Sequence, residues 1–229
     1  MQLAVDVHIP SELSGADGHC IYIDTEGSFV AERVREMAEA LVEHLEWVAQ
    51  DEQKEIQLPT VESILQNIHY YRVHDYVEQI ALLHLLPNIL AELPKVRLII
   101  IDSITFHFRH DFENMSLRTR LLNGMAQNLL QIADKNSLAV VLINQVTTKS
   151  NSDMSLSTLV PALGESWGHT VPTRVMLYWE NNVRYARLYK SSSQQAGTGK
   201  KHQFSCFFFT ISHKFSSSLS DYCSRYKRL

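Results

Sequence analysis

Between Val30 and Val48 apolar residues recur at spacings of three and four, with Glu32, Glu36, Glu39, Glu43 and Glu46 set between them. That period predicts an amphipathic helix with one face on a core. Before it, residues 19–24 form a short β-favouring run, His-Cys-Ile-Tyr-Ile-Asp, behind the turn signals Gly15 and Gly18. The alternation then repeats: a strand over 68–73, a helix over 76–93 with a kink expected at Pro87, a strand over 96–104, a helix over 117–135 and a strand over 138–145. Strand, helix, strand in this order predicts an α/β fold with a mostly parallel sheet covered by helices on both faces.

From Val171 the pattern changes. Residues 174–179 and 184–189 are two β-favouring runs joined around Glu180-Asn181-Asn182-Val183, where asparagine tolerates positive φ, so a hairpin is expected to extend the sheet. Beyond Lys190 periodicity is lost in a Ser/Gln stretch and a Ser/Phe-rich end. Residues 1–193 are therefore read as one core, and 194–229 as a divergent, weakly structured tail.

Composition narrows the function classes. With 21 Lys and Arg against 25 Asp and Glu, the net charge of −4 excludes nucleic-acid binding through bulk positive charge, so any DNA contact must come from local loops. Three cysteines without a C-x-x-C pair suit a reducing compartment better than a disulfide framework. The opening Met1-Gln2-Leu3-Ala4-Val5-Asp6 lacks the basic start of a signal peptide, and no apolar run approaches the ~20 residues that span a bilayer, so no membrane partner is expected.

Three strand ends carry candidate chemistry. The run Leu98-Ile99-Ile100-Ile101-Asp102 delivers a carboxylate to the C-terminal edge of a buried strand, either to hold magnesium through water or to cap the following turn. In Asp24-Thr25-Glu26-Gly27-Ser28, Glu26 is placed to orient an attacking water, while Asp24, Thr25 or Ser28 is placed to cap the next helix. Asn144-Gln145 ends a third strand, as a γ-phosphate-sensing amide that orders the loop behind it or as an ordinary turn amide.

Taken together, residues 22–29, 98–102, 117–122, 142–145 and Leu163-Gly164-Glu165-Ser166-Trp167-Gly168-His169 resemble the RecA-like recombinases of eukaryotes. The wording at 116–124 and 159–169 is closest to their third, or C-type, paralogue branch, and the resemblance runs from Met1 to Ser193. It implies a RecA-like P-loop NTPase core, truncated at its N-terminal side, in a nuclear protein of homologous-recombination repair. ATP and magnesium are the implied cofactors, with single-stranded or branched DNA and sister recombinase paralogues in a hetero-oligomer as partners. By motif, Glu26 matches the water-activating catalytic glutamate, Asp102 the magnesium-side aspartate acting through water, Gln145 the γ-phosphate sensor and Arg33 an arginine near the adenine. Residues 109–118 match a first DNA-facing loop and 147–162 a second, making Arg109, Arg118, Arg120, Lys149 and His169 the DNA-binding candidates.

Two features depart from that family. Its phosphate loop, G-x-x-x-x-G-K-[S/T], should stand just before the helix containing Gln2-Leu3-Ala4-Val5, where this chain begins at Met1. Gly197-Thr198-Gly199-Lys200-Lys201 is no substitute, because Gln194 stands at the first glycine position and Lys201 at the magnesium-binding hydroxyl. The tail is the second departure. The chain alone is accordingly expected to be inactive as an ATPase. The rival readings are a RecA-like interaction module without ATPase activity and an α/β domain binding some other small molecule. His107-Phe108-Arg109-His110-Asp111 lacks a partner cluster for a metal, and Trp167 is either a base-stacking residue or a buried anchor.

Overall fold

The computed structural model describes residues 1–110, 112, 114–150, 157–192, 195, 197–201 and 208–212. In chain order these form α1 (Gln2–Asp6), a 3₁₀ turn (Ser11–Leu13), β1 (His19–Asp24), α2 (Ala31–Asp51), α3 (Val61–Gln66), β2 (Ile68–Arg72), α4 (Tyr76–Glu92) and β3 (Val96–Asp102). They continue through α5 (Phe106–His110), α6 (Met115–Asn136), β4 (Ala139–Asn144), β5 (Val146–Ser150), β6 (Ser157–Pro161), α7 (Gly164–Thr170), β7 (Arg174–Glu180) and β8 (Val183–Lys190). Two tail strands follow, β9 (Thr198–Lys201) and β10 (Phe208–Ser212).

The main sheet runs β2-β1-β3-β4-β10-β7-β8-β9, and its first four strands are parallel. Successive residues of a strand point to opposite faces, and this sequence fills both. Ile21, Ile23, Ile99, Ile101, Val140 and Leu142 pack with Leu83, Leu86, Met125 and Leu129 of α4 and α6. Cys20, Tyr22, Leu98, Ile100, Val141 and Ile143 pack with α1, α2 and α3 through Ala4, Val34, Ala38, Leu41 and Ile64. Burial on both faces explains why these strands read as near-continuous apolar runs. Pro87 lies inside α4, which continues through it to Glu92.

The turn between β7 and β8 places Asn181 and Asn182 at φ 50° and 60°, as the paired asparagines led one to expect. Two described segments of the tail join the main sheet. Phe208–Ser212 pairs antiparallel with β4 on one side and β7 on the other, and β9 is the outer edge strand paired to β8. A β-favouring run beside the unpaired edge of β4 satisfies main-chain groups without any helical or alternating pattern to announce it. Residues 202–207 and 213–229, including Cys206, Cys223 and the Ser216-Ser217-Ser218 stretch, lie outside the described residues.

At the sheet edge where β1 and β2 begin, three imidazoles lie in a row, with ring centroids 6.3 Å apart for His8 and His19 and 5.8 Å for His19 and His69. His8 Nε2, His19 Nδ1 and His69 Nε2 are buried without a hydrogen-bond partner among the described residues. Burial lowers the pKa of all three, and for His8 and His19 the neighbouring imidazoles add to it; Lys95 pushes His19 the same way and Asp17 opposes it. No three His, Cys, Asp or Glu among the described residues are grouped to hold a metal. A histidine with a lowered folded pKa binds fewer protons folded than unfolded, so its neutral form stabilises the fold above about pH 6.5 and that contribution is lost as pH falls below it. Urea unfolding at pH 7.5 and 5.5 is expected to show a stability drop that His69→Gln reduces; equal slopes for the two proteins would contradict it.

Candidate functional site

The connections leaving β1 and β3 run in opposite senses: β1 leads to β2 on one side through α2 and α3, and β3 leads to β4 on the other through α6. A parallel sheet opens a crevice outside the strand ends at such a switch point. In register Asp24 stands opposite Asp102, and Asp102 opposite Ile143, so the ends of β1, β3 and β4 meet there.

Asp24 is fully buried and builds the loop that carries Glu26. Its Oδ1 accepts the backbone N–H groups of Glu26, Gly27 and Ser28 at 3.0, 2.7 and 3.3 Å. Its Oδ2 accepts from the Phe29 N–H and the Tyr70 hydroxyl, both at 3.1 Å. Arg72 Nη1 lies 3.9 Å from Oδ1 and donates to the Asp24 carbonyl at 2.9 Å. Burial by itself would raise this carboxyl's pKa, but the N–H groups of Phe29, Gly27 and Ser28 and the Tyr70 hydroxyl hold it below the usual carboxylate range. The turn needs Gly27, at φ +76°, where an added Cβ would also stand 3.2 Å from Arg72 Nη2. Asp24 thus organises the loop and does not cap α2, whose N-cap is Val30 without a side-chain bond.

Glu26 is half-buried at the crevice. Its Oε1 accepts from Ser103 Oγ at 2.6 Å and from Gln145 Nε2 at 2.8 Å. The other end of the Gln145 amide, Oε1, accepts from Arg109 Nη1. Thr25 and Ser103 join β1 to β3 twice over, Ser103 N–H to Thr25 Oγ1 and Thr25 Oγ1 to the Ser103 carbonyl, both 2.8 Å. Asp102 accepts from the Tyr22 hydroxyl at 2.5 Å through Oδ2. Burial raises the Asp102 pKa, against the Tyr22 bond and the nearby Met1 amino group, and the negative field of Glu26 and Asp24 adds to the rise. Burial and Asp102 together push the Tyr22 phenol far above its usual range, so it serves as a fixed donor.

The predicted residues therefore separate into groups. Glu26, Asp102 and Gln145 share one crevice, and Arg109 joins them through Gln145. Arg33 lies exposed in the first turn of α2, without a hydrogen bond or ion pair among the described residues. Arg118 and Arg120 stand in the first turns of α6, Arg120 exposed and Arg118 half-buried with Nη1 3.5 Å from Met115 Sδ. Lys149 belongs to β5, but its side chain lies outside the described residues, as do residues 151–156 of the second loop and Asp111 and Glu113 of the first. His169 is exposed on α7. Trp167 is a buried anchor of the core between sheet and helices.

Sequence reasoning missed four contributors. Tyr22 looked like core, Ser103 looked like part of the strand over 96–104, Thr105 carried no local signal, and Lys190 looked like the end of a strand. The Lys190 ammonium donates to the carbonyls of Gly168, His169 and Val171 at 3.2, 3.0 and 2.8 Å, closing the C-terminal end of α7. The tyrosine preceding an acidic strand end was the only signal available for Tyr22.

The crevice offers oxygen donors suited to a magnesium ion and its waters: Asp102 keeps Oδ1 without a hydrogen bond among the described residues, and Glu26 keeps Oε2 likewise. Residues 197–201 do not contribute, since β9 is the sheet edge farthest from β2. The 229 residues contain no G-x-x-x-x-G-K-[S/T] stretch.

A family model described as Rad51 matches residues 1–196. The chain is 49% identical over 203 residues to "DNA repair protein RAD51 homolog 3" of Cricetulus griseus, covering 86% of this chain and 55% of that protein. It is 50% identical over 194 residues to the protein of the same name from Dictyostelium discoideum, covering 84% and 51%. With "DNA repair and recombination protein RadA" of Metallosphaera sedula it shares 36% identity over 173 residues, covering 74% and 47%. The chain spans about half the length of the curated relatives it matches.

The Asp24 cradle makes a direct prediction. Asp24→Asn turns an acceptor-only group toward five donors and leaves one NH₂ facing N–H, so it is expected to cost roughly 2–4 kcal/mol of stability by urea denaturation. A loss within about 0.5 kcal/mol, the scale of an ordinary surface change, would contradict the cradle.

Proposed function

Because the chain belongs to the Rad51 family, we propose that it serves homologous-recombination DNA repair in the nucleus as a RecA-like, ATP-dependent DNA-binding paralogue, in a hetero-oligomer with sister paralogues. The observation that carries this reading is the meeting of three strand ends at the switch point, where the Glu26 and Gln145 side chains are hydrogen-bonded to each other and Asp102, in register with Asp24, lies within the electrostatic reach of Glu26. ATP with magnesium supplies the reactive phosphoryl group and a positive centre that neutralises its developing charge. Asp102, positioned by the Tyr22 hydroxyl, would hold the magnesium ion through its waters. Glu26 presents Oε2 to a water while Oε1 stays held by Ser103 and Gln145.

Gln145 stands directly between β4 and β5, so the amide that touches Glu26 also begins the β5–β6 hairpin. Movement of this amide is transmitted to the hairpin through one peptide unit, which couples the nucleotide side to the second DNA-facing loop. Arg118 and Arg120 at the start of α6, Lys149 on β5 and His169 on α7 supply the local positive charge and hydrogen bonding that the net charge of −4 leaves to loops.

Two tests separate this reading from a RecA-like interaction module. The 229-residue chain alone is expected to hydrolyse ATP negligibly. Assembled with a sister subunit that carries a phosphate loop, it is expected to lose about 10²-fold or more of the assembly's turnover in Glu26→Gln. Turnover unchanged by Glu26→Gln, with pairing that persists in Asp102→Ala without nucleotide, would instead establish the interaction module. Arg120→Ala is expected to weaken oligo-dT binding and to lower the slope of log affinity against log salt by about 0.7, the value of one lost single-strand phosphate contact. An unchanged slope would remove Arg120 from the DNA surface.

A further inference from the structure

Four groups behind Glu26 form a closed ring of hydrogen bonds. The Gln145 backbone N–H points to Thr105 Oγ1 at 3.4 Å, Thr105 Oγ1 to Ser103 Oγ at 3.1 Å, and Ser103 Oγ to Glu26 Oε1 at 2.6 Å. The Gln145 side chain closes the ring on the same oxygen at 2.8 Å. Thr105 and Ser103 are 0% and 1% exposed, so water does not compete for these hydroxyls.

The proton directions in the ring are fixed by its ends. A backbone N–H can only donate, so Thr105 Oγ1 accepts from Gln145 and turns its own proton to Ser103; Ser103 then has its proton for Glu26. The Ser103 main chain is held to Thr25 by the two bonds already described, which fixes where its hydroxyl starts from. The relay fills Glu26 Oε1 with two donors and leaves Oε2 for water. It also ties the glutamate to Gln145 at two points, main chain and side chain, so a displacement of the β4 end opens the ring at both.

The geometry points to Ser103 and Thr105 as positioning residues of Glu26, a buried hydroxyl relay that sets which carboxylate oxygen faces water and reports the place of Gln145 to it. This rests on the reading of Glu26 as the water-orienting group for its purpose, though not for its existence.

The test is nuclear magnetic resonance on the full chain with ¹³C-labelled glutamate side chains, the Glu26 carboxyl signal being assigned by its loss in Glu26→Gln. Thr105→Val keeps the shape and removes the hydroxyl. It is expected to shift the Glu26 carboxyl signal, although Thr105 makes no hydrogen bond to Glu26, and to raise exchange of the Gln145 backbone amide by about 10-fold. Thr105→Ser, which keeps the hydroxyl, is expected to restore both. A residue serving only as packing would leave the Glu26 signal unmoved. Ser103→Ala is read in the same way and carries the test should Thr105→Val fail to fold. A Glu26 carboxyl signal unchanged in every folded hydroxyl-deleting variant overturns the relay. In the assembly with a sister subunit, Thr105→Val is expected to lower kcat by about 10-fold with KM unchanged. If the carboxyl signal moves while Glu26→Gln leaves turnover unaltered, the relay stands and the function proposed for Glu26 falls.

Discussion

The site depends on one desolvated carboxylate. Asp24 ends β1 with no exposed surface and gathers the N–H groups of the next loop around it, so the loop's path is set by an anion whose only solvation is protein. In the interior such a group is tolerable only when its lone pairs are met, and here five donors meet them. The constraint runs in both directions: the buried charge needs the loop, and the loop owes its shape to the charge. Glu26 is the first loop residue whose N–H Asp24 holds, and its side chain leaves for the crevice while that N–H stays on Asp24. The placement of the water-facing carboxylate is therefore inherited from a neighbour two residues earlier that faces away from water altogether.

Around that anchor the parallel sheet supplies the meeting point. Opposed connections from β1 and β3 open a crevice at the switch point, and the register sets Asp24 beside Asp102 at its lip. Two carboxylates side by side repel, and the structure separates their environments. Asp24 is surrounded by backbone donors that favour its charge, whereas Asp102 has one phenol and an apolar setting that disfavours it. A cation added at Asp102 would supply the stabilisation that burial withholds.

Much of this was legible in the sequence because the strands are buried on both faces. The runs ending in Asp24, Asp102 and Asn144 could only be central strands, and their last residues could only stand at one edge. The helix α2 declared itself by its period, and the Asn181-Asn182 turn by its chemistry. What remained hidden has a common cause. Tyr22, Ser103, Thr105 and Lys190 act through partners tens of residues away, and no local pattern marks a hydroxyl that will meet a glutamate 77 positions distant. The place of the tail strand β10 in the sheet was hidden for a related reason. Its place is created by the open edge of β4, so the signal lay in the recipient and not in the run of residues that fills it.

Lys190 carries one more consequence. By holding three carbonyls at the end of α7, it fastens that helix to the last residue of β8, whereas the other end of α7 is joined to β6 by Leu163 and Gly164, both at positive φ. One end is riveted by an ammonium and the other turns sharply through two left-handed residues, with Trp167 buried in the core between them. Removing that ammonium would strip three carbonyls of their shared donor and undo the join between β8 and the helix that carries the exposed His169.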